Sequence, residues 1–366
     1  MKRPLIASIL AFATLLTACG GATPAATGAP SGGATAAADP CGIPVKGKCP
    51  TEASALTGAG ATFPAPIYTK WVDEYNKLTG IQINYQAVGS GGGIKSLTDK
   101  TVDYGATDGP MSDQQLTDAK APVLHIPMVM GGVVPTYNIP GVTTPLKFTP
   151  DALAGIFLGQ ITKWSDAKIA AQNAGVTLPD TAITTVHRSD SSGTTYVWTD
   201  YLSKVSPEWK AKVGTGTQVN FSTGTGGRGS SGVSAVLSRT QGGIIYVDVA
   251  FSLKSHFSFF RVKNKAGVFQ LPGARAIKAA AATVKRVPAD NKLSIVDPPK
   301  SQPLAYPICT FTYVILPTKT ENAAALRKYV FWALTGGAKY GPKLLFEPVP
   351  KVVLSASEKT LKKVQS

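Results

Sequence analysis

Acidic side chains are scarce in this sequence. Its 366 residues hold 21 Asp and Glu against 37 Lys and Arg, a formal charge of +16. Such a balance favours anionic partners: nucleic acid, anionic lipid, a cell-wall polymer or a small oxyanion. Histidine is scarcer still. His125, His187 and His256 stand far apart without cysteine neighbours, which excludes the usual zinc spacings. Charged residues make up only 16% and hydrophobic ones 43%, so a disordered tail protein is excluded. The 37 Gly and 27 Pro follow no strict period, which excludes collagen. No repeat of roughly 20–50 residues recurs, which excludes solenoids and propellers. Nor does any stretch of the body approach roughly 18 uninterrupted apolar residues, the minimum for a membrane span. What remains is a chain long enough for two domains with a real core.

Lys2 and Arg3 precede the apolar run Pro4–Leu16. That run is too short to cross a bilayer of about 30 Å as a helix, but normal for a signal peptide. Leu16-Thr17-Ala18-Cys19 resembles a bacterial lipobox, where cleavage removes residues 1–18 and the Cys19 sulfur carries a diacylglycerol. Gly20–Pro40 is mostly Gly, Ala, Ser, Thr and Pro and cannot bury enough surface to offset its chain entropy. Residues 19–53 therefore read as a lipidated flexible tether, holding the protein in the cell envelope outside the cytoplasmic membrane. Cys41 and Cys49 are spaced to close a small disulfide loop in an oxidising compartment. Cys309, within the apolar run Ile308–Leu316, reads as a small buried hydrophobe.

From Ala53 onward short apolar runs alternate with helical stripes, the signature of an α/β chain. Tyr68–Leu78 carries a helical stripe, Ile81–Tyr85 alternates as a strand, and Val102–Ala106 is strand-like. Val123–Val134 is strand-rich but interrupted by Pro127 and Gly131-Gly132. Thr194–Val205 and Ala323–Leu334 read as helices and Gly243–Val249 as a strand. His256–Lys300 is basic and poorly patterned, which suggests surface excursions on the second domain.

Catalytic templates are missing: there is no G-x-S-x-G, no H-E-x-x-H and no close carboxylate pair framed by helix. Ser, Thr and Gly instead cluster just ahead of helices in three places: Gly58–Pro66, Gly89–Lys95 and His187–Thr194. Helix N-termini present unpaired N–H groups and the positive end of the dipole, so each cluster is a candidate anion seat. Gly89–Ser96 misses the P-loop because Ile94 separates Gly93 from Lys95. Gly224-Thr-Gly226-Gly-Arg-Gly229 fits a dinucleotide fingerprint, with Asp248 downstream. The strand candidate ahead of it, Val219-Asn-Phe, is short, and the motif lies in the second half of the chain. It reads as a Gly-rich turn between strand and helix.

At these residues the chain resembles the phosphate-binding lipoproteins of high-affinity phosphate ABC importers, the PstS family. The likeness runs through Gly58–Pro66, Val102–Asp108, Arg188-x-Asp190-x-Ser-Gly-Thr194, Val213–Thr217 and Gly242–Val247, in that order. It implies a type II periplasmic-binding-protein fold, two α/β lobes joined by a hinge that the chain crosses near Asn138 and Tyr306. Lobe one would be 54–137 with 307–366, and lobe two 138–306. The family's ligand groups fall on Thr62, Phe63, Ser90 and Asp108 of one lobe. From the other lobe they fall on Arg188, Ser192, Gly193 and Thr194, with Asp190 beside the arginine. Three positions depart from the family: His187 replaces a basic residue, Gly91 a second serine, and Thr107 a serine before the aspartate.

The resemblance implies binding rather than catalysis. The expected partners are inorganic phosphate and an ABC permease with its cytoplasmic ATPase, with no cofactor, metal or nucleic acid. Physical chemistry supports the selectivity. Phosphate at neutral pH keeps a proton and sulfate does not, so a buried carboxylate at Asp108 accepts a hydrogen bond from one and only repels the other. Two alternatives stay open here: a binder of another oxyanion such as sulfate or molybdate, and an envelope phosphate-ester hydrolase using Ser192 with His187 as base. The lipobox reading is tested separately. The Cys19→Ser protein should leave the membrane fraction on a carbonate wash, and retention there would show that Cys19 carries no anchor.

Overall fold

The computed structural model describes Ala53, residues 55–142 and residues 144–366. The leader, Cys19, the tether, Cys41 and Cys49 lie outside the described residues. The first arm runs β1 (Ala55–Gly60), α1 (Ala65–Thr79), β2 (Gln82–Ala87), α2 (Ser90–Thr98), β3 (Tyr104–Thr107) and α3 (Asp113–Asp118). The long strand β4 (Val123–Asn138) follows, then β5 (Lys147–Phe148), α4 (Pro150–Phe157) and α5 (Ala167–Ala170). Next come β6 (Thr184–Arg188), α6 (Gly193–Val205), α7 (Pro207–Lys212), β7 (Thr225–Gly227), α8 (Gly229–Arg239) and β8 (Gly243–Asp248). The remainder is α9 (Val249–Lys254), β9 (Ser258–Phe259), β10 (Arg261–Lys263), β11 (Phe269–Gln270) and α10 (Ala274–Ala281). It ends with β12 (Cys309–Pro317), α11 (Ala323–Leu334), β13 (Glu347–Pro348) and α12 (Lys351–Leu361).

The helix α1 shows how sequence makes element. Its buried stripe is Ile67, Tyr68, Trp71 and Tyr75, and Gly80 ends it at φ +74°, its N–H bonding back to the Asn76 carbonyl. In the main sheet the strand order is β2-β1-β3-β12-β4-β8-β6-β7. β2, β1 and β3 are parallel, as are β8, β6 and β7. Between these arms lie the antiparallel strands β12 and β4. Each parallel arm therefore delivers its helix N-termini at the carboxyl ends of its strands, where open α/β sheets bind ligands. This is the expected pair of α/β lobes. Each lobe has an aromatic core, Tyr68, Trp71, Tyr75, Tyr104, Tyr329 and Trp332 in one and Phe157, Trp164, Trp198, Tyr246 and Phe260 in the other.

β4 corrects one expectation. It runs unbroken through Pro127 and both glycines. Pro127 faces Tyr313 at a register shift in β12. Gly131 and Gly132 leave room for other groups: a Cβ there would lie 2.6 Å from the Phe63 ring and 2.7 Å from Pro272. At these glycines β4 changes partner, from β12 through Gly132 to β8 from Val133.

A second correction concerns His256–Lys300. The segment forms three short strands and α10, and part of it packs on the first lobe. Asn291 is buried at φ +58°, its amide donating to the His125 carbonyl and the Thr360 hydroxyl at 2.8 and 3.0 Å. The Leu293 N–H donates to the Tyr313 hydroxyl, while Lys204 of α6 reaches Ser294 from the other side. Polar anchors rather than an apolar period organise the segment, so periodicity missed it. Asn291→Ala loses both bonds and the left-handed preference of asparagine, and should cost about 2–3 kcal/mol in urea unfolding.

Candidate functional site

Four helices point their N-termini into the seam between the lobes. Thr62 and Phe63 lead into α1, Ser90 opens α2, Ser192 caps α6 with Gly193 and Thr194 in its first turn, and Gly229-Ser230 opens α8. The Phe63 ring is spent on the core, edge-on to Phe346 at 5.6 Å, so only its backbone faces the site. The Thr62, Phe63 and Thr194 N–H groups have no partner among the described residues. The Thr194 hydroxyl is buried and equally unpaired. First-turn N–H groups without carbonyls to bond are the usual donors for a dehydrated anion.

Arg188 is the buried cation at this seam, its side chain 2% exposed. It forks onto Asp190, with Nε donating to Oδ1 at 2.6 Å and Nη2 to Oδ2. The Gly229 N–H also donates to Asp190 Oδ1, at 2.9 Å. A buried aromatic, Tyr246, fixes the arginine from below: its hydroxyl accepts the Arg188 N–H at 3.1 Å and bonds Thr195 at 2.7 Å. With Asp190 held by Arg188 and Gly229, its carboxyl titrates below the usual range despite burial.

Asp108, at the end of β3, is buried and its Oδ1 has no partner. Burial pushes its carboxyl up to about 7, against the pull of the Thr312 hydroxyl and of Arg188. Its backbone N–H and that of Gly193 both donate to the Ser90 hydroxyl, at 3.3 and 3.0 Å, so Ser90 ties the lobes together. Across the seam Thr62 and Ser230 meet, hydroxyl to hydroxyl at 3.0 Å. All nine residues singled out in the sequence thus line one closed seam.

Sequence reasoning missed three neighbours. Gly229 and Ser230 lie on the Gly-rich turn, and β7 pairs Gly227 with Arg188, which delivers them to the site. The available signal was the Gly-Ser pair opening a helix, as at Gly89-Ser90. The third is Asp248, buried at the end of β8. Its Oδ1 caps α9 through the Phe251 N–H at 2.9 Å, and its Oδ2 has no partner. Burial raises it to about 7 as well, and it raises Asp108 in turn.

The seam closes on glycines because only a bare backbone fits. A Cβ on Gly193 would lie 2.5 Å from the Ser90 Oγ, and one on Gly89 2.3 Å from Asp190. Gly91 matters most, since its N–H donates to the Ser191 carbonyl across the seam at 2.9 Å. A Cβ there would lie 2.2 and 2.3 Å from Ser191 Oγ and Cβ. A cavity of about 700 Å³ lined by Thr57, Lys100, Asp103 and Glu321 lies at the opposite end of β1, away from these residues.

Two outcomes follow. Gly91→Ala should hold the lobes apart and raise the radius of gyration in small-angle scattering, and adding Ser191→Gly should restore it. The second concerns pH. Carboxyls raised from 3.8 to about 7 mean that folding takes up protons. Stability is then fully present below pH ~4 as regards these groups and falls as pH rises through about 7. The melting temperature of the ligand-free protein should drop between pH 5 and 8, by less in Asp248→Asn; an equal drop would remove Asp248 as a cause.

Comparison with known proteins identifies the family. A family model described as a PBP superfamily domain matches residues 25–336. The phosphate-binding protein PstS of Pasteurella multocida is 41% identical, over 83% of this chain and 89% of that protein. The PstS of Methanocaldococcus jannaschii is 35% identical, over 76% and 78%. A high-affinity periplasmic phosphate-binding protein solved with phosphate bound superposes with a TM-score of 0.65 at 22% identity, covering 83% of this chain and 92% of that one. A phosphate-binding protein from Stenotrophomonas maltophilia gives 0.65 at 21%, covering 84% and 94%. With the fold, the ordered motifs and relatives this similar in hand, the chain belongs to the PstS family of phosphate-binding proteins within the PBP superfamily.

Proposed function

We propose that this protein captures inorganic phosphate between its lobes and delivers it to an ABC permease, from a lipid-anchored position outside the cytoplasmic membrane. The observation that carries the reading is the buried, unpaired Asp108 carboxyl oxygen facing an arginine and unpaired helix-start donors across one seam. Thr62, Phe63 and Thr194 donate to the phosphate oxygens, Ser90 and Gly193 join them by giving up the bond that they make to each other, Ser192 shapes the α6 turn, and Asp190 holds the Arg188 fork. Asp108 accepts the hydrogen bond of the phosphate proton. The lobes turn on β4 and on the strand paired with it, β12. The change of partner at Gly132 and Val133 favours a first crossing somewhat before Asn138.

The hydrolase alternative finds less support in the geometry. Ser192 Oγ accepts the Thr195 N–H as a helix cap at 3.2 Å. The His187 ring stacks on Phe221 at 4.3 Å, its Nδ1 against the Arg188 carbonyl. No hydrogen bond joins the two among the described residues, so their arrangement does not support His187 as a base for Ser192. Sulfate and molybdate carry no proton at neutral pH for Asp108 to accept.

Calorimetric titration with phosphate, sulfate and arsenate tests the reading. Phosphate has five heavy atoms, so a ceiling of roughly 1.5 kcal/mol per atom allows about 7.5 kcal/mol, a Kd of about 3 μM. Tighter binding has to draw on charge-assisted bonds made in a dehydrated site. Arg188→Ala should therefore weaken phosphate by at least about 2 kcal/mol. Asp108→Asn should instead lower the phosphate/sulfate ratio even where phosphate affinity changes little. If sulfate remains as strongly rejected by Asp108→Asn, discrimination lies in other residues.

A further inference from the structure

Phosphate capture as derived above leaves one buried acid beside the seam without a task. Asp248 ends β8 inside lobe two and is buried. Its Oδ1 accepts the Phe251 N–H and so starts α9, while its Oδ2 has no partner among the described residues. Val133 of β4 stands opposite it in the sheet, the Ser230 hydroxyl approaches from α8, and Arg188 from β6. Asp108, on the other lobe, feels its charge. The remaining charged or titratable groups of these elements point to other places. Lys254 sits in the last turn of α9, Arg239 in the last turn of α8, Arg228 is exposed, and the His187 ring stacks on Phe221.

Arg188 is already forked onto Asp190. With Asp108 and Asp248 both ionised, the seam would hold three carboxylates against that arginine before a dianion entered. The helix-start N–H groups cannot offset the excess, because phosphate needs them for its own oxygens. A buried carboxylate oxygen without a partner is costly, whereas a neutral carboxyl in the same place is tolerated. Burial accordingly pushes Asp248 up to about 7, with the Phe251 N–H, the Ser230 hydroxyl and Arg188 pulling the other way. The two acids lie on opposite lobes, and Ser230, beside Asp248, bonds Thr62 across the closed seam. Closure therefore brings the acids together, removes their water and adds the charge of phosphate. Each of these changes favours a proton on one of the two. Asp108 is needed as a carboxylate, to accept the phosphate proton. That leaves Asp248.

We propose that capture of phosphate is coupled to a proton and that Asp248 holds it: closing the lobes on the hydrogen phosphate dianion draws one proton from solvent, which bonds to Asp248 Oδ2 and returns to solvent when the lobes open. The inference rests on the phosphate reading above and adds a second ion to it. The test is calorimetric titration with phosphate at about pH 8, where most free phosphate is the dianion. Running it in Tris and in HEPES, whose ionisation enthalpies differ, counts the protons taken up. The full chain should take up at least about half a proton per phosphate bound. Asp248→Asn, whose side-chain oxygen can still accept the Phe251 N–H, should take up less than about a fifth of a proton. Asp108→Asn should keep most of the parent's uptake. The ratio of the parent Kd to the Asp248→Asn Kd should rise at least about fivefold from pH ~6.5 to ~8.5, a trend that mere loss of packing would not give. Asp248→Ser also caps a helix and takes the place of the asparagine variant if that one does not fold. Phosphate binding without proton uptake, or with uptake unchanged in Asp248→Asn, would overturn the inference and leave the phosphate reading standing. Uptake lost in Asp108→Asn but kept in Asp248→Asn would also overturn it, placing the proton between Asp108 and phosphate. No phosphate binding at all would remove the phosphate reading itself, and this inference with it.

Discussion

A dehydrated anion has to be met by positive charge, and at this seam the buried cation, Arg188, is already forked onto Asp190. The pair comes close to cancelling, so most of the compensation falls to backbone N–H groups at four helix starts. That requirement organises the rest of the molecule. Helix starts converge only where parallel strands end side by side, which is why each lobe has its own parallel arm. The arms must also face each other, which is why the sheet passes through antiparallel β12 and β4 between them.

Bringing backbones close enough to share one small ligand leaves no room for side chains along the seam. Gly89, Gly91 and Gly193 occupy the contact points, while hydroxyls at Thr62, Ser90 and Ser230 supply short bridges. The serine that the family often carries at position 91 would collide with Ser191 here. The departure to glycine and the serine opposite are therefore one paired feature. Above pH ~7, where they are ionised, the two buried acids Asp108 and Asp248 add a field that opposes further negative charge. A ligand that arrives with its own proton can hydrogen-bond to that field, and one without a proton meets repulsion from it.

Much of this was legible in the residue pattern, and the misses have physical reasons. α1 follows from apolar spacing on one buried face, and α6, β8 and α11 from apolar runs that are buried nearly all round. The nine candidate residues follow from Gly/Ser/Thr clusters at helix starts together with the family likeness, and the structure gathers them along one seam. Ser230 is not legible because it follows a Gly-rich turn, and the pairing of β7 with β6 that brings it beside Arg188 leaves no mark in the sequence. Asp248 was missed because burial and an orphaned oxygen are properties of three-dimensional packing. Asn291 was missed because a polar anchor has no period. β4 was read as interrupted because its glycines suit breaks, although here they make room for Phe63 and Pro272.

The central claim is that ionised Asp108 recognises the proton of phosphate, and fluorophosphate tests it most directly. That dianion keeps the tetrahedral shape and charge of hydrogen phosphate but carries no proton. Above pH ~7, where Asp108 is ionised, the protein should bind phosphate and reject fluorophosphate as it rejects sulfate. Below that pH a neutral Asp108 can donate instead of repel, so the rejection should weaken. Fluorophosphate bound as tightly as phosphate at pH 8 would contradict the claim.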